Sequence, residues 1–237
     1  MPLDAMTEHP LRPALESTLA ELGLQAPVDV LLAYLDLLAR WNATYNLTAV
    51  RDPQDMLRQH LADCLAVVKP MSRQLGQPPG GGAEATPRAI RVLDVGSGGG
   101  LPGVVLAAMF PHWQVVCVDT VGKKAAFIRQ AAAELGLRNL SGEHARVEAL
   151  RGAPFDVITS RAFASLVDFT RLSRSLLAPQ GVWMAMKGRA PTEELAALPG
   201  DIEVFHVEPL TVPGLQAERC LVWMRLRTVP TNPTAAV

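Results

Sequence analysis

The sequence predicts an α/β fold: a mostly parallel, seven-stranded sheet that finishes in an antiparallel hairpin, covered by helices and preceded by a helical extension. Three observations predict it. Residues 90–103 read as strand, glycine-rich turn and helix. The apolar run Ile90, Val92, Leu93 and Val95 stops at Gly96, and Val104, Val105, Leu106 and Met109 resume after Pro102. Strand and helix patterns then alternate as far as Lys187, an order that demands parallel strands with crossover helices. The last two strands, at residues 202–207 and 219–226, are separated only by Pro209 and Pro213-Gly214, so they pair as a hairpin.

Along the chain, Leu11, Leu15, Leu19 and Leu22 recur at helical spacing and Gly23 stops them. Pro27 opens a second helix with Leu31, Tyr34, Leu35, Leu38 and Trp41 on one face. Asp52-Pro53 starts a third, with Asp as cap and Pro in the first turn, and Leu57, Leu61, Leu65 and Val68 in line. His60 and Cys64 flank that stripe. Between the second and third helices, Trp41-Asn-Ala-Thr-Tyr-Asn-Leu-Thr48 reads as a helix end whose Trp and Tyr plug the core. These elements make an N-terminal extension, residues 1–71, and the Gly/Pro-rich stretch 72–89 reads as a linker. In the core, residues 90–227, Val115–Val118 form a second strand ending at Asp119. The helix Gly122–Leu135 turns Ala125, Phe127, Ile128 and Ala131 inward and Lys123, Lys124 and Arg129 outward. A short strand near 140–144, a strand at 155–159, a helix at 166–177, a strand at 181–187 and a helix near 193–198 follow. Residues 228–237, without periodicity, are expected to be a disordered tail.

Composition narrows the class. The net charge is −1 over 237 residues, but residues 120–190 alone carry +6, which suggests a local patch for a polyanion. No apolar run reaches the roughly 18 residues of a membrane span, and no basic-then-apolar leader is visible, so a cytoplasmic protein is expected. Cys64, Cys117 and Cys220 are scattered among apolar neighbours and read as buried thiols, with neither disulfides nor a metal site.

The glycine-rich turn admits two cofactors, because its backbone can press against a ligand and the next helix offers unpaired N–H groups. Gly98-x-Gly100-x-x-Gly103, with Asp119 about 20 residues on, fits a dinucleotide fingerprint. The frame Asp94-x-Gly96-x-Gly98-x-Gly100 resembles the first motif of class I methyltransferases that use S-adenosylmethionine (SAM). Pro102 removes an N–H that a pyrophosphate would use. Five parallel strands plus a hairpin also resemble the Rossmann-like class I SAM-dependent methyltransferase sheet. By that logic Asp94 holds the SAM ammonium group through water or backbone, Gly98 lies in the turn, and Asp119 accepts the ribose hydroxyls. Gly96, Asp119, Arg146 to Glu148 and Arg161 all fall at carboxyl ends of strands, where ligands bind.

Several stretches together resemble one family, bacterial RsmG (GidB), which methylates guanine N7 in 16S ribosomal RNA. They are Trp41-Asn42, Tyr45-Asn46-Leu47-Thr48, His60-x-x-Asp63, Asp94 to Gly98, Leu101-Pro-Gly103, Arg146-Val-Glu148, Ser160-Arg-Ala-Phe-Ala-Ser165 and Lys187-Gly188. Two departures are Cys64, where a small hydroxyl residue is expected, and a longer insertion around residues 76–87. The resemblance implies that Gly96, Leu101, Val147, Glu148 and Arg161 line the SAM pocket, where Arg161 could meet the SAM carboxylate or an RNA phosphate. Guanine N7 already carries an in-plane lone pair, so no general acid or base is expected. His60, Asp63, Arg146 and Lys187 then position the RNA, and Asn46, Lys123, Lys124 and Arg129 bind it. The partner is 16S ribosomal RNA or the small ribosomal subunit, not DNA or a membrane, and a monomer is expected. Two other classes remain open at this point: an NAD-dependent oxidoreductase and a non-catalytic RNA-binding assembly factor.

Overall fold

The computed structural model describes residues 8–77, 79, 88–161 and 163–227. The expected tail at 228–237, most of the insertion at 76–87 and Ala162 lie outside the described residues.

A central sheet is formed by β1 (Arg91–Val95), β2 (Gln114–Asp119), β3 (Leu140–His144), β4 (Phe155–Ser160), β5 (Leu177–Lys187), β6 (Ile202–Pro209) and β7 (Cys220–Leu226). Its order is β3-β2-β1-β4-β5-β7-β6. The first five strands are parallel, and β7 runs antiparallel to both β5 and β6. Residues 92–95 of β1 are all buried, as a central parallel strand covered on both faces must be. The helices of the core are α6 (Gly103–Met109), α7 (Gly122–Glu134), α8 (Leu166–Ser173) and α9 (Thr192–Ala196). On α7, Ala125, Phe127, Ile128 and Ala131 are the buried residues, as the periodicity requires.

The extension begins with α1 (Arg12–Leu22), ended by Gly23 in a left-handed conformation, and α2 (Val28–Tyr45). The third helix starts at α3 (Pro53–Met56), where the Asp52 carboxylate accepts from Asp55 N. It then widens into a π-helical segment, Leu57–Ala62, before a last turn α4 (Asp63–Leu65). Leu57, Leu61, Leu65 and Val68 are all buried, so the stripe is correct, but the π-helical widening around His60 leaves no mark in the pattern. A further helix, α5 (Val68–Leu75), runs across the expected boundary at residue 71. Pro70 hides it: in the first turn of a new helix a missing N–H breaks nothing.

Nor does the extension have a core of its own. Leu15, Leu31 and Leu38 belong to the same apolar cluster as Val92, Val104 and Phe127, on one face of the sheet. The other face packs Leu93, Val95, Ile158, Phe169 and Trp183. Two local expectations change. Tyr45 does not plug the core; it is 42% exposed and lies against half-buried Trp41, whose ring meets Phe127. The helix expected at 166–177 is α-helical to Ser173 and tightens into a 3₁₀ turn at Arg174–Leu176, and β5 starts at Leu177, earlier than expected, running through Pro179-Gln-Gly181 beside an irregular register with β4.

Candidate active site

The glycine-rich turn leaves the carboxyl end of β1 with Gly96 at φ +67° and Gly98 at φ +58°. A Cβ built on either would meet nothing within 4 Å, so both open onto free space. Side chains behind the turn hold its shape. Asp119, at the end of β2, accepts from Gly98 N at 3.0 Å and from Val121 N at 2.9 Å. Asp94 accepts from Gly103 N at 2.9 Å. Tyr34 of α2 donates its hydroxyl to Gly99 O at 2.7 Å. Gly103 is sterically required, since a Cβ there would lie 2.2 Å from Cys117 Sγ.

Asp94 therefore faces α6, not the open side of the turn. It is wholly buried, and burial raises its pKa to about 7 against the opposing Gly103 N–H. Its expected approach to a ligand ammonium group reduces to shaping the backbone. Both Asp119 oxygens are already engaged by backbone N–H groups, so only their remaining lone pairs face a ligand.

In front of the turn lies a cavity of about 190 Å³, lined by Leu38, Leu47, Thr48, His60, Gly96, Ser97, Gly98, Gly99, Leu101, Lys124 and Arg161. Ser97 Oγ is buried and lies beside the Cys117 thiol, so it does not open onto the cavity.

A second cavity, of about 380 Å³, adjoins the first and shares His60 and Arg161 with it. Asp63, 2% exposed, sits between two arginines. Its Oδ1 accepts from Arg219 Nε at 2.9 Å, and its Oδ2 lies 3.5 Å from Arg161 Nη1. Arg161 also donates to Gln59 O at 3.1 Å and lies 3.5 Å from His60 Nδ1. His60 Nε2 lies 2.7 Å from Thr48 Oγ1. Desolvation first, and the charge of Arg161 second, push the His60 pKa down, which favours neutral imidazole. Lys187 pairs with Glu194 at 2.8 Å.

The expected positioning group thus divides. His60, Asp63 and Lys187 share the second cavity, whereas Arg146, with a side chain 79% exposed, lies apart beside Glu148. Asp63 is a buried clamp and not a free hydrogen-bonding group. Of the expected cofactor residues, Gly96, Gly98, Leu101 and Arg161 line the first cavity. Val147 and Glu148 sit in a 3₁₀ turn after β3, outside that lining. Asn46 ends α2 at φ +50° and accepts from Arg51 at 2.9 Å. Of the three α7 cations, Lys123 and Arg129 are exposed, Arg129 also donating to Gly142 O at 2.9 Å, and Lys124 turns to Asp119 at 3.8 Å. Arg219 was missed because it precedes an antiparallel strand, whose start lies at the carboxyl edge of the sheet.

An open glycine turn after β1, an acid at the end of β2 and this strand order define a class I SAM-dependent methyltransferase. A "SAM dependent methyltransferase from Aquifex aeolicus" has a similar fold, with TM-score 0.52 and 18% identity over 76% of this chain and 96% of that one. TrmN from Thermus thermophilus gives TM-score 0.52 and 22% identity over 69% and 48%. The family model "GidB: rRNA small subunit methyltransferase G" matches residues 28–222. "Ribosomal RNA small subunit methyltransferase G" of Acidovorax sp. (strain JS42) is 60% identical over 218 residues, 92% of this chain and 95% of that one. The protein of the same name from Leptothrix cholodnii is 60% identical over 204 residues, 86% and 89%. The chain belongs to the rRNA small subunit methyltransferase G (GidB) family. Membership sets aside the dinucleotide and non-catalytic readings.

Proposed function

We propose that this protein transfers a methyl group from SAM to N7 of a guanine in 16S ribosomal RNA, acting on the RNA itself or within the small subunit. The observation that carries the reading is the adjacency of the two cavities. One faces the open glycine turn, the other is bordered by cations, and Arg161 and His60 stand on both. SAM bound at the turn would supply an electrophilic methyl group. The chain's own residues then have to hold, orient and exclude. Gly96 and Gly98 admit the ligand against the backbone, and Asp119 keeps acceptor capacity at the end of β2. Leu38, Leu47 and Leu101 make the wall apolar.

No residue has to remove a proton, because the N7 lone pair lies in the base plane and is free at neutral pH. Rate enhancement rests on alignment and on exclusion of water. N7 points into the major groove, which side chains cannot enter in A-form RNA, so the base is presented from a loop or a distorted helix. Both cavities are built within one chain, and we propose a monomer working in the cytoplasm. Among the described residues no helix is long and apolar enough to cross a membrane.

The test is methylation of unmodified 16S ribosomal RNA, naked and in the small subunit, followed by borohydride reduction and aniline cleavage, which break RNA at 7-methylguanosine. Cleavage at one site is expected. Transfer of label without cleavage would place the methyl on another atom.

A further inference from the structure

The second cavity has a charge imbalance that the methyl-transfer chemistry does not use. Asp63 is one carboxylate between two guanidinium groups, so the trio keeps a net positive charge. Lys187 does not change this, since Glu194 neutralises it. Arg219 sends Nε to Asp63 and Nη1 to Glu218 O, which leaves Nη2 without an acceptor among the described residues. Both arginine side chains are a quarter exposed at the cavity, and Asp63 is buried behind them. A carboxylate in that position orients the two forks and is shielded from whatever enters.

We infer that this cavity is a subsite for one phosphate group of the RNA that carries the target guanine, with Arg161 and Arg219 as its donors and Asp63 as the positioning residue that holds both. The inference rests on the proposed function and adds a contact to it. A phosphate fits because its oxygens accept from paired planar N–H groups and its charge cancels the surplus. The SAM carboxylate is the competing anion, because Arg161 also lines the first cavity. Arg219 lines only the second. The subsite thus borders the first cavity through Arg161 and His60, which line both.

The test uses the full chain and single-turnover methylation at limiting RNA, across about 50 to 200 mM salt, with SAM affinity measured separately by calorimetry. Arg219→Gln should leave SAM affinity unchanged and slow the reaction about tenfold. The slope of log rate against log salt should fall by about 0.7 to 0.9, the signature of one lost phosphate contact. Arg219→Lys should keep the slope, because it keeps the charge, whereas a purely structural role would be lost in both variants. Asp63→Asn should lower the rate, and adding Arg219→Gln to it should cost little more, since both disturb one unit. An unchanged slope in Arg219→Gln, or a loss of SAM affinity there, would overturn the subsite. A second arm leaves the protein intact and replaces single phosphates beside the target guanine by neutral methylphosphonates. One position should lower both rate and slope, and the absence of any such position overturns the inference even if a variant misfolds. If the unchanged protein methylates neither naked RNA nor subunits, the proposed function itself fails, a result distinct from an altered slope.

Discussion

Gly96 carries two requirements at once: a left-handed backbone and empty space where a ligand must pass. A side chain there would cost roughly 1–2 kcal/mol in backbone strain and would project into the cavity. Gly96→Val is therefore expected to keep a folded circular-dichroism spectrum and lose calorimetric SAM binding; a folded variant that still binds SAM would rule out this turn as the cofactor site. Asp94, behind the turn, predicts a pH signature. Its folded pKa of about 7 lies above the ordinary 3.8, so the native state holds a proton that the unfolded state releases. Stability then falls as pH rises from about 4 to 7, by about 4 kcal/mol in all, and is level above that. Asp94→Asn keeps the acceptor for Gly103 N and cannot titrate. Urea midpoints at pH 5 and 8 should differ less in the variant than in the parent chain; an equal difference would show that Asp94 is not the group responsible.

At the scale of elements, the π-helical segment carries His60, which contacts both Thr48 and Arg161 and so links the extension to the end of β4. Burial and Arg161 push His60 down from its ordinary range, so it is neutral at working pH. Single-turnover methylation should be flat from about pH 6 to 9, and His60→Asn should be slower with the same flat profile. A step in the parent profile that vanishes in the variant would mean that His60 transfers a proton. Helix α7 offers a sharper contrast than its sequence did. Lys123→Gln should weaken RNA binding and lower its salt slope. Arg129→Gln should instead cost stability, because it releases the Gly142 carbonyl. Equal effects on the salt slope would return Arg129 to the RNA surface. The inward residues of α7 were legible because helical periodicity depends only on near neighbours. The partners of Asp63 were not, because they lie 98 and 156 residues away in the chain and meet only through the sheet.

For the whole molecule, the glycine turn, the strand alternation and the final hairpin were readable because each is written in a short window. The division into an extension and a separate core was a coarser matter. Leu15, Leu31 and Leu38 pack in one cluster with Val92, Val104 and Phe127, and Tyr34 braces the turn. We propose that the two parts fold as one unit. A fragment beginning at residue 88 should then lack a cooperative urea transition and bind the dye ANS; a cooperative transition in that fragment would restore an independent core. The antiparallel insertion of β7 has a further consequence, one of timing. In a chain made from its amino end, β1 to β5 and the glycine turn are synthesised before β7, so until then β5 is a bare edge open to pairing with another chain. Only when Cys220–Leu226 emerges is that edge covered, and the same event delivers Arg219 to the second cavity. The molecule thus cannot finish its sheet without also placing Arg219, the inferred phosphate donor, and an incompletely synthesised chain carries the glycine turn without it.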